Sequence, residues 1–348
     1  MKSKILMAFD DPGGGLAVSS LLERLQQYEI DLEIYCGKLS EKFLEKENRL
    51  YNKIDSMIAR EYAAGIMENV RPDLLITGTG GGNAEQELRN EAFQKNIKSI
   101  VILDFWKDYA RRWLYASYSL AEMKDKICVM DEFTKDEMTR ENFPEGNIIV
   151  TGHPYLDKIF NRSKSNSEQT NFNKNQILFL SQPLHIIGLK DYKIHPLKTF
   201  LESLKKMSSE NKSEYSLNIK LHPSEEMSSE IEELKKTYDS EYLRIKFADK
   251  FSSLKDLILE SEIITGYNTI AMFESRAMYR RTISLNVAPV RNSLSIAMKT
   301  AGIEIIDADE ESIIECLNNA KPGLYVKEIF KGGINNCVKL VLSELNLN

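Results

Sequence analysis

The stretch Ile263-Ile264-Thr265-Gly266-Tyr267-Asn268-Thr269 decides the expected fold, because an apolar run stops at small and polar residues and a helical pattern follows at once. Strand, polar turn and helix in this order are typical of a parallel α/β sheet. Free backbone N–H groups at the start of such a helix attract an anion. Glu274 follows soon after, and its carboxylate offers only acceptors, which suits sugar hydroxyls. The stretch predicts a site for a ligand with phosphate and sugar groups; an ordinary capped loop is the structural alternative.

The same alternation of short apolar runs and helical segments continues along the chain and predicts parallel sheets covered on both faces. The predicted strands are Ile5–Phe9, Asp31–Cys36, Leu74–Thr77, Ser99–Leu103, Ile127–Met130, Ile148–Thr151, Gln176–Leu180, Ser216–Leu221, Leu243–Phe247, Ile263–Thr265, Thr282–Asn286 and Ile303–Ile306. A polar run from Asn161 to Asn171 predicts a solvated linker.

We therefore expect an α/β protein with two Rossmann-like parallel-sheet domains that face a central cleft, because ligands of such sheets bind beyond the carboxyl ends of the strands. The expected boundaries are 1–160 for an acceptor domain, 161–175 for the linker, 176–325 for a nucleotide-sugar domain and 326–348 for a C-terminal helical segment.

The composition limits the classes of function. A chain of 348 residues is long enough for two domains, and its net charge of −6 argues against general nucleic-acid binding. Its four cysteines are widely spaced, which predicts reduced core thiols and no metal site. No apolar run approaches the roughly 18 residues of a membrane span. We expect a cytoplasmic protein; peripheral attachment to a membrane and the oligomeric state stay open.

The segment Ile219–Pro223 ends another predicted strand with two side chains that carry or gain positive charge. Alternation along a strand puts Lys220 and His222 on the same face, and Pro223 ends the ladder there. A neighbouring phosphate favours the charged form of histidine. The pattern predicts that both side chains contact phosphate, with His222 neutralising a departing phosphate. A hydrogen-bonded histidine at a strand end is the structural alternative.

Three glycines, Gly13, Gly14 and Gly15, follow Asp10 and Asp11 directly after the first predicted strand. Glycines let a ligand approach the backbone closely. The acidic neighbours would repel an anion, so the turn predicts a neutral acceptor. Asp11 is the first candidate for a general base, with Asp10 behind it. A tight turn with an aspartate cap explains the same residues without a ligand.

Two further segments of the first half predict contacts with an acceptor. The turn after Leu74–Thr77 is also rich in glycine, and we expect Thr79, Gly80 and Gly81 beside the substrate. Asp104, after another strand, is a third candidate base, and Trp106 predicts a stacking surface for a sugar. A flexible crossover and an aromatic core corner are the structural alternatives.

Three short motifs carry a resemblance to known families. The string Thr151–Asp157 resembles the segment that ends the first domain of UDP-N-acetylglucosamine 2-epimerases. The motif Lys220-Leu221-His222-Pro223 resembles the His-Pro motif of bacterial polysialyltransferases, Kdo transferases and CDP-glycerol phosphotransferases. The run Phe179–Leu184 resembles the opening strand of the nucleotide domain in sialyltransferase-like enzymes. The order of these motifs resembles that of GT-B glycosyltransferases, although the His-Gly-Asp and Asp-Ser-Gly-Gly strings of the epimerases are missing.

The resemblance implies a metal-independent glycosyltransferase of surface polysaccharide biosynthesis. It would move a sugar from a CMP- or UDP-linked donor to a hydroxyl of a glycan or small acceptor, with no cofactor besides the donor substrate. A nucleotide-sugar 2-epimerase or hydrolase and a non-catalytic nucleotide-sugar-binding protein are the alternatives. The residues expected to bind the nucleotide are Ser181, Gln182, Lys220, His222, Pro223, Gly266, Tyr267, Asn268, Thr269 and Glu274.

Overall fold

The fold is described from a computed structural model of the chain. The structure describes residues 2–164, 172–182, 196–222, 225, 227–249, 252–267, 269–286, 292–319 and 331–347. The chain divides into two compact units: unit 1 comprises Met1–Lys158 and Phe330–Asn348, and unit 2 comprises Ile159–Ile329. Each unit is built on one parallel sheet with helices around it, so the predicted fold class, α/β with two parallel-sheet domains, is confirmed.

Unit 1 contains a seven-stranded sheet in the order β3-β2-β1-β4-β5-β6-β7, and its described strand pairs are parallel. The strands are β1 (Ser3–Phe9), β2 (Ile30–Cys36), β3 (Asn52–Lys53), β4 (Leu74–Thr77), β5 (Lys98–Ile102), β6 (Lys126–Val129) and β7 (Ile148–Val150). The helices are α1 (Pro12–Ser19), α2 (Leu22–Leu25), α3 (Glu41–Lys46), α4 (Arg60–Val70), α5 (Ala84–Gln94) and α6 (Glu132–Arg140). Helix α7 (Pro154–Lys164) begins in unit 1, and its residues from Ile159 onward belong to unit 2.

The strands of unit 1 are apolar along their length because both faces of the sheet are covered. Leu6 and Met7 point to opposite faces of β1, and both are fully buried. Met7 packs in a core that includes Leu21 and Leu22, whereas Leu6 packs in a separate core with Ile66 of α4. This two-sided burial leaves the ends of the strands as the natural place for polar groups.

Unit 2 contains a six-stranded sheet in the order β10-β9-β8-β11-β12-β13, again with parallel pairs. The strands are β8 (Asn173–Leu180), β9 (Tyr215–Lys220), β10 (Leu243–Phe247), β11 (Ser261–Gly266), β12 (Arg281–Asn286) and β13 (Glu304–Asp307). The helices are α8 (Pro196–Asn211), α9 (Ser229–Tyr238), α10 (Leu254–Glu260), α11 (Ile270–Ala277), α12 (Asn292–Thr300) and α13 (Glu310–Asn318). Phe179 and Leu217 of the sheet pack in one core with Phe200 of α8.

Two buried arginines stabilise unit 2 through backbone carbonyls. Arg276 Nε donates to the carbonyl of Ala301 at 3.2 Å. Arg280 donates from Nε to the carbonyl of Ile258 at 3.2 Å and from Nη2 to that of Leu259 at 2.7 Å. These carbonyls belong to the ends of α12 and α10, where a cation complements the helix dipole. Arg276 therefore joins α11 to the end of α12, and Arg280 joins the loop that leads into β12 to the end of α10.

A C-terminal helix, α14 (Gly333–Glu344), belongs to unit 1 and is fastened there by Asp157. The Asp157 carboxylate accepts from the backbone N–H of Gly332 at 3.1 Å and from that of Ile334 at 3.0 Å. Asn336 Nδ2 donates to the carbonyl of Thr151 at 3.0 Å. The string Thr151–Asp157 thus has a structural role, since it holds the first turn of α14.

We expect Asp157→Ala to lower the free energy of unfolding by about 1–3 kcal/mol for each N–H group that loses its partner. Urea unfolding followed by circular dichroism measures this change. Asp136→Ala is the matched control, because Asp136 is exposed on α6. Equal unfolding midpoints for the two variants would show that the carboxylate of Asp157 does not hold α14.

Some elements differ from those expected. Helix α7 runs through residues 161–164, which we placed in a solvated loop; its apolar residues Leu156 and Phe160 are buried on one side. The rest of that polar run, residues 165–171, lies outside the described residues. Helix α1 begins at Pro12, within the glycine-rich segment that we read as a turn. Within the described residues, no helix is both long and apolar enough to cross a membrane.

Candidate functional site

The carboxyl ends of β1, β4 and β5 bring the predicted acceptor residues of unit 1 together. The sheet order places β2 on one side of β1 and β4 on the other, so the chain reverses direction across the sheet at this point. Ligands of open α/β sheets bind at such a reversal. Asp10 and Asp11 follow β1, Thr79 follows β4, and Asp104 follows β5.

Asp11 caps α1, the helix that begins at this edge. Its Oδ1 accepts from the backbone N–H of Gly14 at 2.9 Å. Burial and the neighbouring carboxylate of Asp104 raise the pKa of Asp11 to about 7, although the Gly14 N–H and Arg112 act in the opposite direction. A carboxyl group with a pKa near neutrality accepts a proton more readily than an ordinary aspartate, as a general base must.

Asp104 is held in place by an ion pair that the sequence did not predict. Its Oδ1 accepts from Arg112 Nη1 at 2.6 Å and from Thr79 Oγ1 at 3.3 Å. Arg112 Nε also donates to the carbonyl of Lys107 at 3.2 Å. The side chains of Asp104 and Arg112 are 12% and 14% exposed. The ion pair is therefore poorly screened by solvent.

Asp10 lies in a different position from Asp11. Its side chain is buried and packs against Gly37, where an added Cβ would overlap it. Burial, assisted by Asp55, raises the pKa of Asp10. The carboxyl of Asp10 thus points toward β2, and Asp11 is the better-placed candidate of the two.

Glu85 is a functional candidate that sequence reasoning missed. It is 4% exposed, and its carboxylate accepts from the backbone N–H of Asp10 at 2.9 Å and from that of Gly80 at 3.1 Å. Burial and the charge of Asp11 raise the pKa of Glu85 to about 8, against the effects of Arg89 and the two N–H groups. Glu85 joins the two glycine-rich segments, which follow neighbouring strands.

The glycines of these segments are explained largely by protein contacts. A Cβ on Gly13 would overlap the carboxylate of Asp104, and one on Gly15 would overlap the hydroxyl of Ser40. A Cβ on Gly14 would lie 2.7 Å from Asp11 Oδ1, and one on Gly80 would lie 2.7 Å from Glu85 Oε1. Only Gly81 of this acceptor set has no heavy atom within 4 Å of an added Cβ. Contact of these glycines with an acceptor stays a prediction, and Gly81 is the most open position.

Trp106 is placed differently from the exposed stacking surface that we expected. Its side chain is 3% exposed, and its Nε1 donates to Asp131 Oδ2 at 2.6 Å. Its ring lies 6.1 Å from that of His153. An indole with so little exposed surface has no free face for a sugar, so it serves to pack the Asp104 loop. The aromatic-corner alternative fits this burial.

His153 supports the same loop. Its Nε2 lies 3.0 Å from the backbone carbonyl of Asp104, so this nitrogen carries the proton and donates. Burial lowers the pKa of His153, which keeps the ring neutral at physiological pH. His153 therefore positions Asp104 from β7, two strands away.

In unit 2, Lys220 and His222 lie at the carboxyl end of β9. Lys220 Nζ donates to the carbonyl of Asp249 at 3.3 Å, and the backbone N–H of His222 donates to Glu225 Oε2 at 2.8 Å. Burial lowers the pKa of Lys220. It also lowers the pKa of His222, against the effect of Glu225. The partly desolvated Lys220 gains more from an anion than an exposed cation does, and a bound anion favours the charged form of His222.

Glu225, like Glu85 in unit 1, joins two segments that follow neighbouring strands. Its Oε1 accepts from Ser181 Oγ at 3.0 Å, while its other oxygen holds the N–H of His222. The backbone N–H of Ser181 donates to the carbonyl of Lys220 at 2.9 Å. The predicted residues Ser181, Lys220 and His222 are thus brought together at the ends of β8 and β9.

The turn between β11 and α11 lies beside β8. Gly266 is paired with Leu180, and its φ of +157° leaves the backbone where an added Cβ would overlap the Leu180 carbonyl. Tyr267 is fully buried and packs edge-on against Phe179 with ring centroids 5.6 Å apart, so only its backbone can face a ligand. Thr269 has the extended conformation of a helix cap, without a side-chain capping bond.

The remaining predicted nucleotide contacts are less fully defined. Glu274 is 7% exposed on α11, and Gln182 is partly buried after β8. Pro223 and Asn268 lie outside the described residues. In the part of the chain that the structure describes, no group of three or more His, Cys, Asp or Glu side chains is placed to hold a metal ion. The assignment of this edge to a nucleotide stays a prediction.

No protein-family model and no curated protein matches the chain. Solved structures match it along its whole length. A putative UDP-N-acetylglucosamine 2-epimerase from Listeria monocytogenes matches with a TM-score of 0.74 and 11% identity, over 99% of this chain and 97% of that one. MurG from Acinetobacter baumannii matches with a TM-score of 0.58 and 14% identity, over 98% of this chain and 99% of that one.

The fold is GT-B-like. A UDP-GlcNAc 2-epimerase from Neisseria meningitidis, whose structure is bound to UDP-GlcNAc, also shares it, with a TM-score of 0.70 and 14% identity over 99% of this chain and 100% of that one. At these identities the likeness shows a shared fold, and it does not show a shared activity.

Proposed function

We propose that the chain is a nucleotide-sugar-dependent glycosyltransferase that binds the nucleotide at the edge of unit 2 and an acceptor hydroxyl at the edge of unit 1. The observation that carries the transferase assignment is the position of Asp11, which caps α1 at the carboxyl end of β1 beside the carboxylate of Asp104; burial and Asp104 raise its pKa to about 7. A hydroxyl nucleophile needs such a base, whereas a protein that only binds nucleotide sugars has no use for one.

The reaction follows from the chemistry of these groups. Asp11 takes the proton of the acceptor hydroxyl as its oxygen bonds to the anomeric carbon of the donor sugar. The bond from that carbon to the phosphate oxygen breaks, and its electrons leave with the nucleotide. Lys220 and His222 stabilise the negative charge on the departing phosphate. Glu274 accepts hydrogen bonds from the ribose hydroxyls.

Unit 2 suits the nucleotide because Lys220 and His222, after β9, and the start of α11, after β11, lie on either side of β8 at one edge of the sheet. The Neisseria meningitidis epimerase, which shares the fold, is bound to UDP-GlcNAc. Either UDP or CMP is compatible with these contacts. We place the reaction in cytoplasmic synthesis of surface polysaccharide, with a glycan or small hydroxyl compound as acceptor.

Lys220→Ala is expected to remove most of the thermal stabilisation by the donor nucleotide. A charge-assisted hydrogen bond contributes about 1.5–3 kcal/mol, so affinity should fall about 10- to 100-fold. The measurement is a thermal-shift series with CMP, CDP, UDP, GDP and dTDP. Lys246→Ala is the control, because Lys246 is exposed on β10. An unchanged shift for Lys220→Ala would contradict the phosphate assignment.

A second candidate function is a nucleotide-sugar 2-epimerase or hydrolase. It is supported by the solved structures of this fold, several of which are UDP-GlcNAc 2-epimerases. Incubation with UDP-GlcNAc alone separates the two functions. Sugar inverted at C2, formed without an acceptor, supports the epimerase, whereas product formed only with a hydroxyl acceptor supports the transferase. Nucleotide binding without any turnover supports a non-catalytic protein.

A further inference from the structure

We propose that Arg112 is a positioning residue for this reaction, because it fixes the Asp104 carboxylate beside Asp11 and thereby sets the pH range in which Asp11 acts as the base. This inference rests on the proposed function and adds a residue that no sequence motif marks.

Arg112 is anchored on several sides. Its Nη1 donates to Asp104 Oδ1 at 2.6 Å, to the carbonyl of Thr79 at 3.4 Å and also to the Thr79 hydroxyl. Its Nε donates to the carbonyl of Lys107 at 3.2 Å. The guanidinium therefore joins the segment after β4 to the segment after β5. Its own chain position, in the short 3₁₀ turn Ala110–Trp113, is distant from Asp11 in sequence.

The carboxylates of Asp11 and Asp104 both lie on the side of Gly13 where another residue would carry its Cβ. An added Cβ on Gly13 would overlap Asp104 Oδ2 and would lie 3.6 Å from Asp11 Oδ2. Only glycine leaves room for both groups, and Arg112 holds the other oxygen of Asp104. A neighbouring negative charge disfavours the ionised form of Asp11, so the protonation of Asp11 depends on how Asp104 is held.

The charges around Asp11 come from several elements. Asp104 after β5 and Asp10 after β1 raise the pKa of Asp11, while Arg112 lowers it. Glu85 on α5 lies close enough for the Asp11 charge to raise the pKa of Glu85.

Two further charged residues act on the neighbours of Asp11: Arg89 lowers the pKa of Glu85, and Asp55 raises the pKa of Asp10. Arg112 therefore acts directly on Asp11, against the effect of the carboxylates around it.

The sign of each substitution follows. Below its pKa, Asp11 carries a proton and cannot accept one, so transfer should fall as the pH decreases through about 7. Arg112→Met removes a positive charge and should move this acid limb to higher pH. Asp104→Asn removes a negative charge and should move it to lower pH. A neighbouring charge at this range shifts a pKa by about one unit or more.

The test is the pH dependence of kcat/KM for the wild type, Arg112→Met, Arg112→Lys and Asp104→Asn. We expect the acid limb to move by about one pH unit in opposite directions in Arg112→Met and Asp104→Asn. In Arg112→Lys the acid limb should lie closer to its wild-type position than in Arg112→Met. Carbon-13 NMR titration of the Asp11 carboxyl measures the same displacement without turnover. If Arg112→Met does not fold, Asp104→Asn and Arg112→Lys decide the question.

The outcomes separate this inference from the proposed function. Opposite shifts of the Asp11 titration in a protein that transfers no sugar support the coupling and contradict the transferase. Transfer whose acid limb stays fixed in all variants, with nucleotide-induced stabilisation intact, overturns the role of Arg112. A merely structural arginine would lower stability and leave the limb in place.

Discussion

Asp11→Asn is expected to lower kcat for glycosyl transfer by about 100- to 10,000-fold, the usual contribution of a general base. Nucleotide affinity should stay unchanged, because the proposed nucleotide contacts all belong to unit 2. Asparagine also caps helices, so its side-chain oxygen can still accept from the Gly14 N–H and the fold should be preserved. Steady-state kinetics together with nucleotide titration measure both quantities.

Asp31→Asn is the matched control for this substitution. Asp31 lies near the start of β2, at the end of the sheet opposite to Asp11. Its half-exposed side chain forms an ion pair in which Asp31 Oδ2 lies 3.4 Å from Lys4 Nζ. A surface ion pair of this kind contributes about 1 kcal/mol or less, so activity should be retained. Full activity of Asp11→Asn would contradict our choice of base, and loss of activity in Asp10→Asn alone would transfer the role to Asp10.

Gly266→Ala is expected to destabilise unit 2 by about 1–3 kcal/mol or more and to abolish nucleotide binding. The added Cβ would overlap the carbonyl of Leu180 on the neighbouring strand, so β8 or β11 must move. Ser181, which follows Leu180, would move with β8 and lose its contact with Glu225. Urea unfolding and the nucleotide thermal-shift series measure the two effects.

Gly65→Ala provides the opposite expectation. Gly65 lies inside α4, and an added Cβ there meets no heavy atom within 4 Å. Alanine is favoured over glycine in a helix by about 1 kcal/mol, so this variant should be slightly more stable than the wild type. Equal changes in the free energy of unfolding for the two substitutions would show that an added Cβ at Gly266 does not overlap the Leu180 carbonyl.

Much of the fold could be predicted because strands covered on both faces must be apolar. The predicted strand Leu74–Thr77 coincides with β4, and Leu243–Phe247 coincides with β10. The two-residue edge strand β3 was missed, since Asn52 and Lys53 are exposed and carry no apolar signal. The start of α1 was missed because Gly13, Gly14 and Gly15 disfavour a helix on their own, whereas the Asp11 cap and Pro12 fix its first turn.

The candidate site could be predicted less completely. Parallel strands end at one edge, so the sequence was enough to expect Asp11 and Asp104 near each other. Glu85 and Glu225 were missed because they bind backbone N–H groups, which leave no mark in a sequence. Glu85 contacts Asp10 across 75 positions of the chain. Arg112 could not be assigned a role from the sequence, because its contact with Asp104 forms only when the loops fold.

The most direct test of the account is a crystal structure of the chain with the nucleotide that gives the largest thermal shift. We predict that its phosphate contacts Lys220 and His222 at the end of β9 and the backbone between Gly266 and Thr269, with the ribose on Glu274. A nucleotide phosphate bound at the Asp11 edge of unit 1, or no bound nucleotide at saturating concentration, would show that unit 2 does not bind the donor.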